Sequence, residues 1–297
     1  MALQDVETSW GQWRRVFGTP RSAQRRQLEA MLERKPVLLY WGDSWFTTPL
    51  YMNLALQSMR RIDGLAMLAG KPGALAAQLF DKRSVARTLG WLKTYPFDVL
   101  CVSAGGNDGL SERLAKIFPK KDAGRMSAEE AFDRVVDAGL FGTIAAHYHR
   151  LLDALEPLHR KRPAFRVVGH GYALVQRIGA KAKLTTRNIG LVATFKRDTG
   201  PWLWPPMKPV LGAMDEARRF AHLLMREGFR DLVLAGLAHD YKGFFNYADF
   251  TDEPSAATDA FWNDEIHPTE QGFEAIAPAL NAEIRKALPA AKRAAVS

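Results

Sequence analysis

Five short apolar runs punctuate the chain: Val37–Trp41, Ile62–Leu68, Val99–Ala104, Phe165–Gly169 and Leu232–Leu237. Several are rich in Val, Leu and Ile, as strands buried on both faces of a parallel sheet are. Longer stretches lie between or after them, in which apolar residues recur every three to four positions: Leu50–Met59, Ala74–Leu92, Ala128–Leu155, Ala213–Met225 and Phe273–Leu288. That is the period of an amphipathic helix. The alternation predicts right-handed βαβ units, hence an α/β protein: a three-layer α/β/α sandwich around a five-stranded parallel sheet. Residues 1–34 predict a basic helical N-terminal extension. Residues 35–297 predict a single domain, since no repeat or low-complexity linker divides them and 297 residues suffice for one large core.

Two insertions interrupt the pattern. One spans Lys196–Ala213 and contains Pro201-Trp202-Leu203-Trp204-Pro205-Pro206-Met207; the other spans Tyr241–Trp262 and contains Phe244, Phe245, Tyr247 and Phe250. Aromatic loops near strand ends either cover the sheet edge or form a lid or acyl pocket.

Charge and composition narrow the function classes. The formal net charge is +9, but the basic residues fall in scattered short groups such as Arg25-Arg26, Lys120-Lys121 and Arg160-Lys161-Arg162. No nucleic-acid-binding motif accompanies them, so they read as solvated helix faces and no specific nucleic-acid partner is expected. The single Cys101 excludes an internal disulfide and a cysteine-rich metal site; mid-strand, it reads as an inert buried thiol. No run approaches the ~18 apolar residues of a membrane helix. The N-terminus lacks a basic segment followed by an apolar one, so the simplest expectation is a cytoplasmic location.

Candidate chemistry sits where the apolar runs end. The first breaks at Gly42-Asp43-Ser44, placing a hydroxyl at a strand end and a glycine where the backbone must turn. The third runs into Gly105-Gly106-Asn107-Asp108-Gly109, so the Asn107 amide faces the same crevice as a donor for a developing oxyanion. The second is followed by Gly70-Lys71-Pro72-Gly73, just before a helix, where a glycine N–H supplies a further donor. Near the end, Asp264-Glu265-Ile266-His267-Pro268 provides a His/Asp pair suited to activating a serine. His147 and His149, two apart on a helical pattern, share no ligand face. His170, at the end of the fourth run, reads as packing or as a residue bordering the pocket.

Taken in order, these four segments resemble the conserved blocks of the SGNH (GDSL) hydrolase family. Gly42–Phe46 with Pro49 after it, His170-Gly171-Tyr172 and Trp262 further resemble a bacterial Gly-Asp-Ser-Trp-Phe subgroup. The resemblance covers roughly residues 36 to 285. It implies a flavodoxin-like fold and a serine esterase working through an acyl-enzyme; the apolar Trp45 and Phe46 and the Trp202–Met207 loop favour a small or medium acyl group. By the same resemblance Ser44 is the nucleophile, His267 the base and Asp264 the group that orients it. The oxyanion hole is then the Ser44 N–H, the Gly73 N–H and the Asn107 side chain, with Gly70 the alternative to Gly73. Leu75 departs from the small polar residue usual two places after that glycine. The resemblance implies a small-molecule ester as partner and neither metal nor organic cofactor. The alternative is a non-catalytic or regulatory binding protein on the same fold.

Overall fold

The computed structural model describes residues 6–7, 10–19, 21–48, 52–119, 125–182 and 200–297. Its sheet contains β1 (Val6–Glu7), β2 (Val37–Gly42), β3 (Leu65–Gly70), β4 (Val99–Ser103), β5 (Arg166–His170) and β6 (Phe245–Ala248). Every pairing is parallel, in the order β1-β3-β2-β4-β5-β6. The two-residue β1 is an edge addition; the other five strands run in the order of a flavodoxin-like doubly wound sheet. β2 lies at the centre with all six residues buried, which is why Val-Leu-Leu-Tyr-Trp-Gly shows no alternation.

Helices flank the sheet and complete the three-layer α/β/α sandwich. One group pairs the helix Glu270–Ala287 with Leu54–Met59 and lays it on β5 and β6; the other sets Leu140–Lys161 against Lys82–Thr94 and Leu224–Ala235. Toward the N-terminus, helices Trp10–Phe17 and Ala23–Met31 precede β2. Trp13 and Phe17 are fully buried, and the Trp13 ring stacks on Phe17 at 4.6 Å and Phe97 at 5.0 Å. Burial of two such side chains contributes roughly 1.5–3 kcal/mol each, so this segment belongs to the core it covers. Among the described residues, no helix is long and apolar enough to cross a membrane.

One strand expectation is overturned. Leu232–Leu237 is helical: an α-helix over Met214–Leu223 continues through π-helical turns at Leu224–Ala235 into a last α-helical turn at Gly236–Asp240. Phe229, Val233, Leu234 and Leu237 are buried while Leu232 is 52% exposed, a one-sided pattern that a strand buried on both faces would not leave. A six-residue apolar run cannot by itself separate a buried strand from a helix face. The fifth long strand is instead β6, inside the stretch Tyr241–Trp262 read above as an aromatic insertion. Its end residues, Phe245 and Ala248, are buried, one on each face of the sheet, and its pairing with β5 covers that strand's outer edge.

The register aligns the strand ends that matter. Gly42 lies opposite Gly70 of β3 and Ser103 of β4, so the three strands end at one level. Glycine at position 42 answers a close approach rather than a turn: a Cβ there would stand 2.5 Å from the Ser103 Cβ and carbonyl oxygen. Gly70, at φ +126°, would press a Cβ to 1.9 Å from the Gly42 carbonyl.

Candidate active site

The first element of the site grows directly out of β2. Asp43 caps the short helix Ser44–Thr47, its Oδ1 accepting the Trp45 N–H at 3.1 Å. Its own N–H donates to the Ser103 carbonyl, and its Oδ1 accepts the Ser103 hydroxyl at 2.7 Å. Asp43 is thus fixed to β4 on one side and to the helix start on the other, and Ser44 is carried to the crevice. Burial pushes the Asp43 carboxyl above its ordinary value, against the pull of donors from Ser103, Trp45 and Tyr172.

The second element comes from the far end of the chain. The Asp264 Oδ1 accepts the N–H groups of Ile266 at 2.9 Å and His267 at 2.7 Å, closing a turn on its own side chain. That turn explains the three-residue spacing: it brings the carboxylate alongside the imidazole, with His267 Nδ1 3.0 Å from Oδ2 and 3.1 Å from Oδ1. Burial alone would raise the Asp264 carboxyl. The facing His267 and the two turn N–H groups outweigh it and hold the group below its ordinary value. On its other side, His267 Nε2 lies 2.8 Å from Ser44 Oγ. Hydroxyl, imidazole and carboxylate therefore form one continuous chain across 223 residues of sequence separation.

The third element follows β4. Asn107 opens a 3₁₀ turn over Asn107–Gly109, and its Nδ2 donates to the Ala74 carbonyl at 3.0 Å. Asp108 Oδ2 accepts the Ala76 N–H at 2.9 Å, so two bonds tie the loop after β4 to the one after β3. Burial is the main reason the Asp108 carboxyl is pushed up to about 6, with the nearby Asp43 charge adding to it. Tyr172, beyond β5, locks the arrangement. Its hydroxyl accepts the Gly106 N–H at 3.0 Å and donates to Asp43 Oδ2 at 3.2 Å.

These elements frame a cleft of about 680 Å³, counting the space open to solvent at its mouth. Asp43, Ser44, Asn107 and His267 line it together with an apolar wall that includes Leu110, Phe141, Ile144, Leu203, Met225 and Phe229. Of the residues picked from sequence, Ser44, Asn107 and His267 meet in this cleft, and Asp264 stands behind His267. Gly73, at φ +73°, is not among the lining residues; it adjoins the site through Ala74, whose carbonyl holds Asn107. Gly70 is the last residue of β3, against Gly42.

Other candidates fall elsewhere. His170 is buried beside Trp45, Phe46 and Phe250, outside the cleft lining; burial pushes its imidazole down to about 4. Cys101 lies fully buried in β4, and burial pushes its thiol up. His149 bonds the Tyr241 hydroxyl at 2.9 Å. Pro49 and residues 196–199 of the first insertion lie outside the described residues.

Sequence reasoning gave Glu265 no role, and read Leu203 only as part of the Trp202–Met207 loop that favours a small or medium acyl group. Glu265 is fully buried, and its carboxylate accepts four backbone N–H groups, from Gly179, Trp202, Leu203 and Trp204. The one available signal for Glu265 was an acidic residue inside Asp264–His267, between the paired acid and imidazole. What holds Leu203 at the cleft carries no local signal, because it is a carboxylate 62 residues further along the chain.

No family model matches the chain, and no curated protein matches it. Solved structures do. The chain is similar to an extracellular lipase of Streptomyces rimosus, at 15% identity over 83% of this chain and 99% of that one, with a TM-score of 0.48. It is also similar to phospholipase A1 of Streptomyces albidoflavus, at 16% identity over 84% and 99% with a TM-score of 0.46. A third is a family 3 carbohydrate esterase of Talaromyces cellulolyticus, at 12% identity over 84% and 97% with a TM-score of 0.41.

Proposed function

We propose that the protein is an SGNH-type serine esterase that cleaves carboxylic esters of small or medium acyl groups through an acyl-enzyme on Ser44. The observation that carries this reading is the chain Ser44 Oγ–His267 Nε2–Asp264, at 2.8 Å and 3.0 Å. Asp264 accepts a hydrogen bond from the Nδ1–H of His267, which fixes the tautomer whose bare Nε2 can accept the serine proton. As that proton moves, Ser44 Oγ attacks the ester carbonyl and His267 becomes an imidazolium stabilised by the buried carboxylate. The carbonyl oxygen then carries negative charge. Asn107 uses one Nδ2 hydrogen on Ala74 and keeps the second for that oxygen, alongside the Ser44 N–H. The tetrahedral intermediate collapses as His267 protonates the departing alcohol. Water, activated by the same imidazole, then releases the acid and restores Ser44.

The apolar wall suits the hydrocarbon part of such an ester. A p-nitrophenyl ester series on purified protein tests the reading. Wild type is expected to release nitrophenol with saturation kinetics, and Ser44→Ala to fall to background. Hydrolysis that survives Ser44→Ala would contradict it.

A further inference from the structure

We propose that Glu265 is a positioning residue that anchors Trp202 and Leu203 at the cleft, and that this anchor sets how strongly the enzyme favours longer acyl chains. The proposal rests on the esterase reading above. Its starting point is a carboxylate with no exposed surface. Oε1 accepts the N–H of Gly179 at 2.8 Å and of Trp204 at 3.0 Å; Oε2 accepts the N–H of Leu203 at 2.7 Å and that of Trp202. Three of the four donors are consecutive, and they lie at the start of the helix Trp204–Leu211, where backbone N–H groups lack partners within the helix. A buried carboxylate is tolerated only when its oxygens are satisfied, and charge-assisted bonds of this kind are about twice as strong as neutral ones.

What the anchor presents is specific. Leu203 lines the cleft, as do Ile266 and His267. The Trp202 ring stands edge-on to the His267 ring, centroids 5.5 Å apart at 82°. Consecutive acids thus do different jobs: Asp264 orients the imidazole, and Glu265 holds the wall beside it. The bonds of the carboxylate go to Gly179 and to Trp202–Trp204, so its effect passes through the segment it carries. A glutamine at this position keeps one acceptor oxygen but turns an amide NH₂ toward two of the four N–H donors, so that half of the anchor is lost.

The test compares wild type, Glu265→Gln and Leu203→Ala on p-nitrophenyl acetate, butyrate and hexanoate, with functional sites counted by fluorophosphonate titration. Wild type should gain in kcat/KM as the acyl chain lengthens. In Glu265→Gln that gain should shrink about tenfold, through KM, while kcat per titrated site on acetate stays within about threefold. Leu203→Ala, with the anchor intact, should show the same loss and covers the case in which Glu265→Gln does not fold. Hydrogen exchange reads the anchor apart from catalysis: the Trp202, Leu203 and Trp204 amides should exchange at least about tenfold faster in Glu265→Gln. A uniform fall in kcat across all three esters, an unchanged chain-length preference in either variant, or unchanged exchange at those amides would overturn the proposal. A wild type inert to every ester and to the probe would refute the esterase reading itself, and the exchange experiment would still decide the anchor.

Discussion

The two sides of the cleft are built by different means. On the strand side, Ser44 and Asn107 sit two and four residues beyond β2 and β4, and side chains tie the loops to the sheet and to one another: Ser103 to Asp43, Asp43 to Tyr172, Tyr172 to Gly106, Asn107 to Ala74. On the loop side, His267 follows a turn closed by a single carboxylate, and the wall beside it hangs on another. The strand side is distributed, its bonds shared among Ser103, Asp43, Tyr172, Gly106, Asn107 and Ala74. The loop side is concentrated, with one acid per task. Distribution spreads the effect of a substitution, whereas concentration makes single acids decisive.

The sharpest way to break that contrast is on the loop side. His267→Ala removes the base and should lower kcat by about 10⁶-fold; Asp264→Asn should cost about 10⁴-fold. The asparagine keeps the Ile266 and His267 turn bonds through its oxygen but points an NH₂ at Nδ1, which selects the tautomer that cannot take the serine proton. Steady-state kinetics on a p-nitrophenyl ester measures both, with folding checked by circular dichroism. Equal losses from the two variants would mean that Asp264 does more than orient. On the strand side, Asn107→Ala should cost about 100- to 1000-fold in kcat with KM little changed, as loss of one oxyanion donor does. Tyr172→Phe should cost far less, about tenfold or under, the worth of one hydrogen bond to a loop that keeps its others. A Tyr172→Phe loss as large as that of Asn107→Ala would show that the strand side is not distributed.

The smallest effect expected is on stability. The Asp108 carboxyl, raised to about 6 from 3.8, favours folding most fully below pH 3.8, and that contribution is lost as pH rises through about 6. Asp264 has the opposite sign: its stabilisation is present above the ordinary carboxylate value and lost as pH falls through its depressed one. Asp108→Asn, which can still accept the Ala76 N–H, should therefore gain on wild type between pH 4 and pH 7, by at most about 3 kcal/mol. Urea unfolding at the two pH values measures it. A gain that ran the other way would mean that the ionised carboxylate is favoured in the folded protein.

The same contrast explains what could be read from the sequence. Strand-side chemistry is local: a buried run that breaks at Gly42-Asp43-Ser44, or at Gly105-Gly106-Asn107, announces both the strand and the residue at its tip. The Asp264–His267 spacing is local as well, because one turn contains it. The fifth long strand was not legible, because Leu232–Leu237 is apolar enough for a strand while Phe245–Ala248, half-exposed at Asn246 and Tyr247, is less so. Pairing with β5, a tertiary effect, decides it. The anchoring of the Trp202–Trp204 segment by Glu265 stayed hidden for a related reason. Nothing within a few residues of either shows that one carboxylate gathers N–H groups from Gly179 and from Trp202 to Trp204.

The central claim is that Ser44 is an activated nucleophile, and covalent labelling tests it most directly. Wild type treated with a fluorophosphonate should gain one adduct per chain, measured by intact mass, and peptide mapping should place it on Ser44. His267→Ala should label far more slowly and Ser44→Ala not at all. An adduct mapped to another residue, or labelling that persists in Ser44→Ala, would contradict the account.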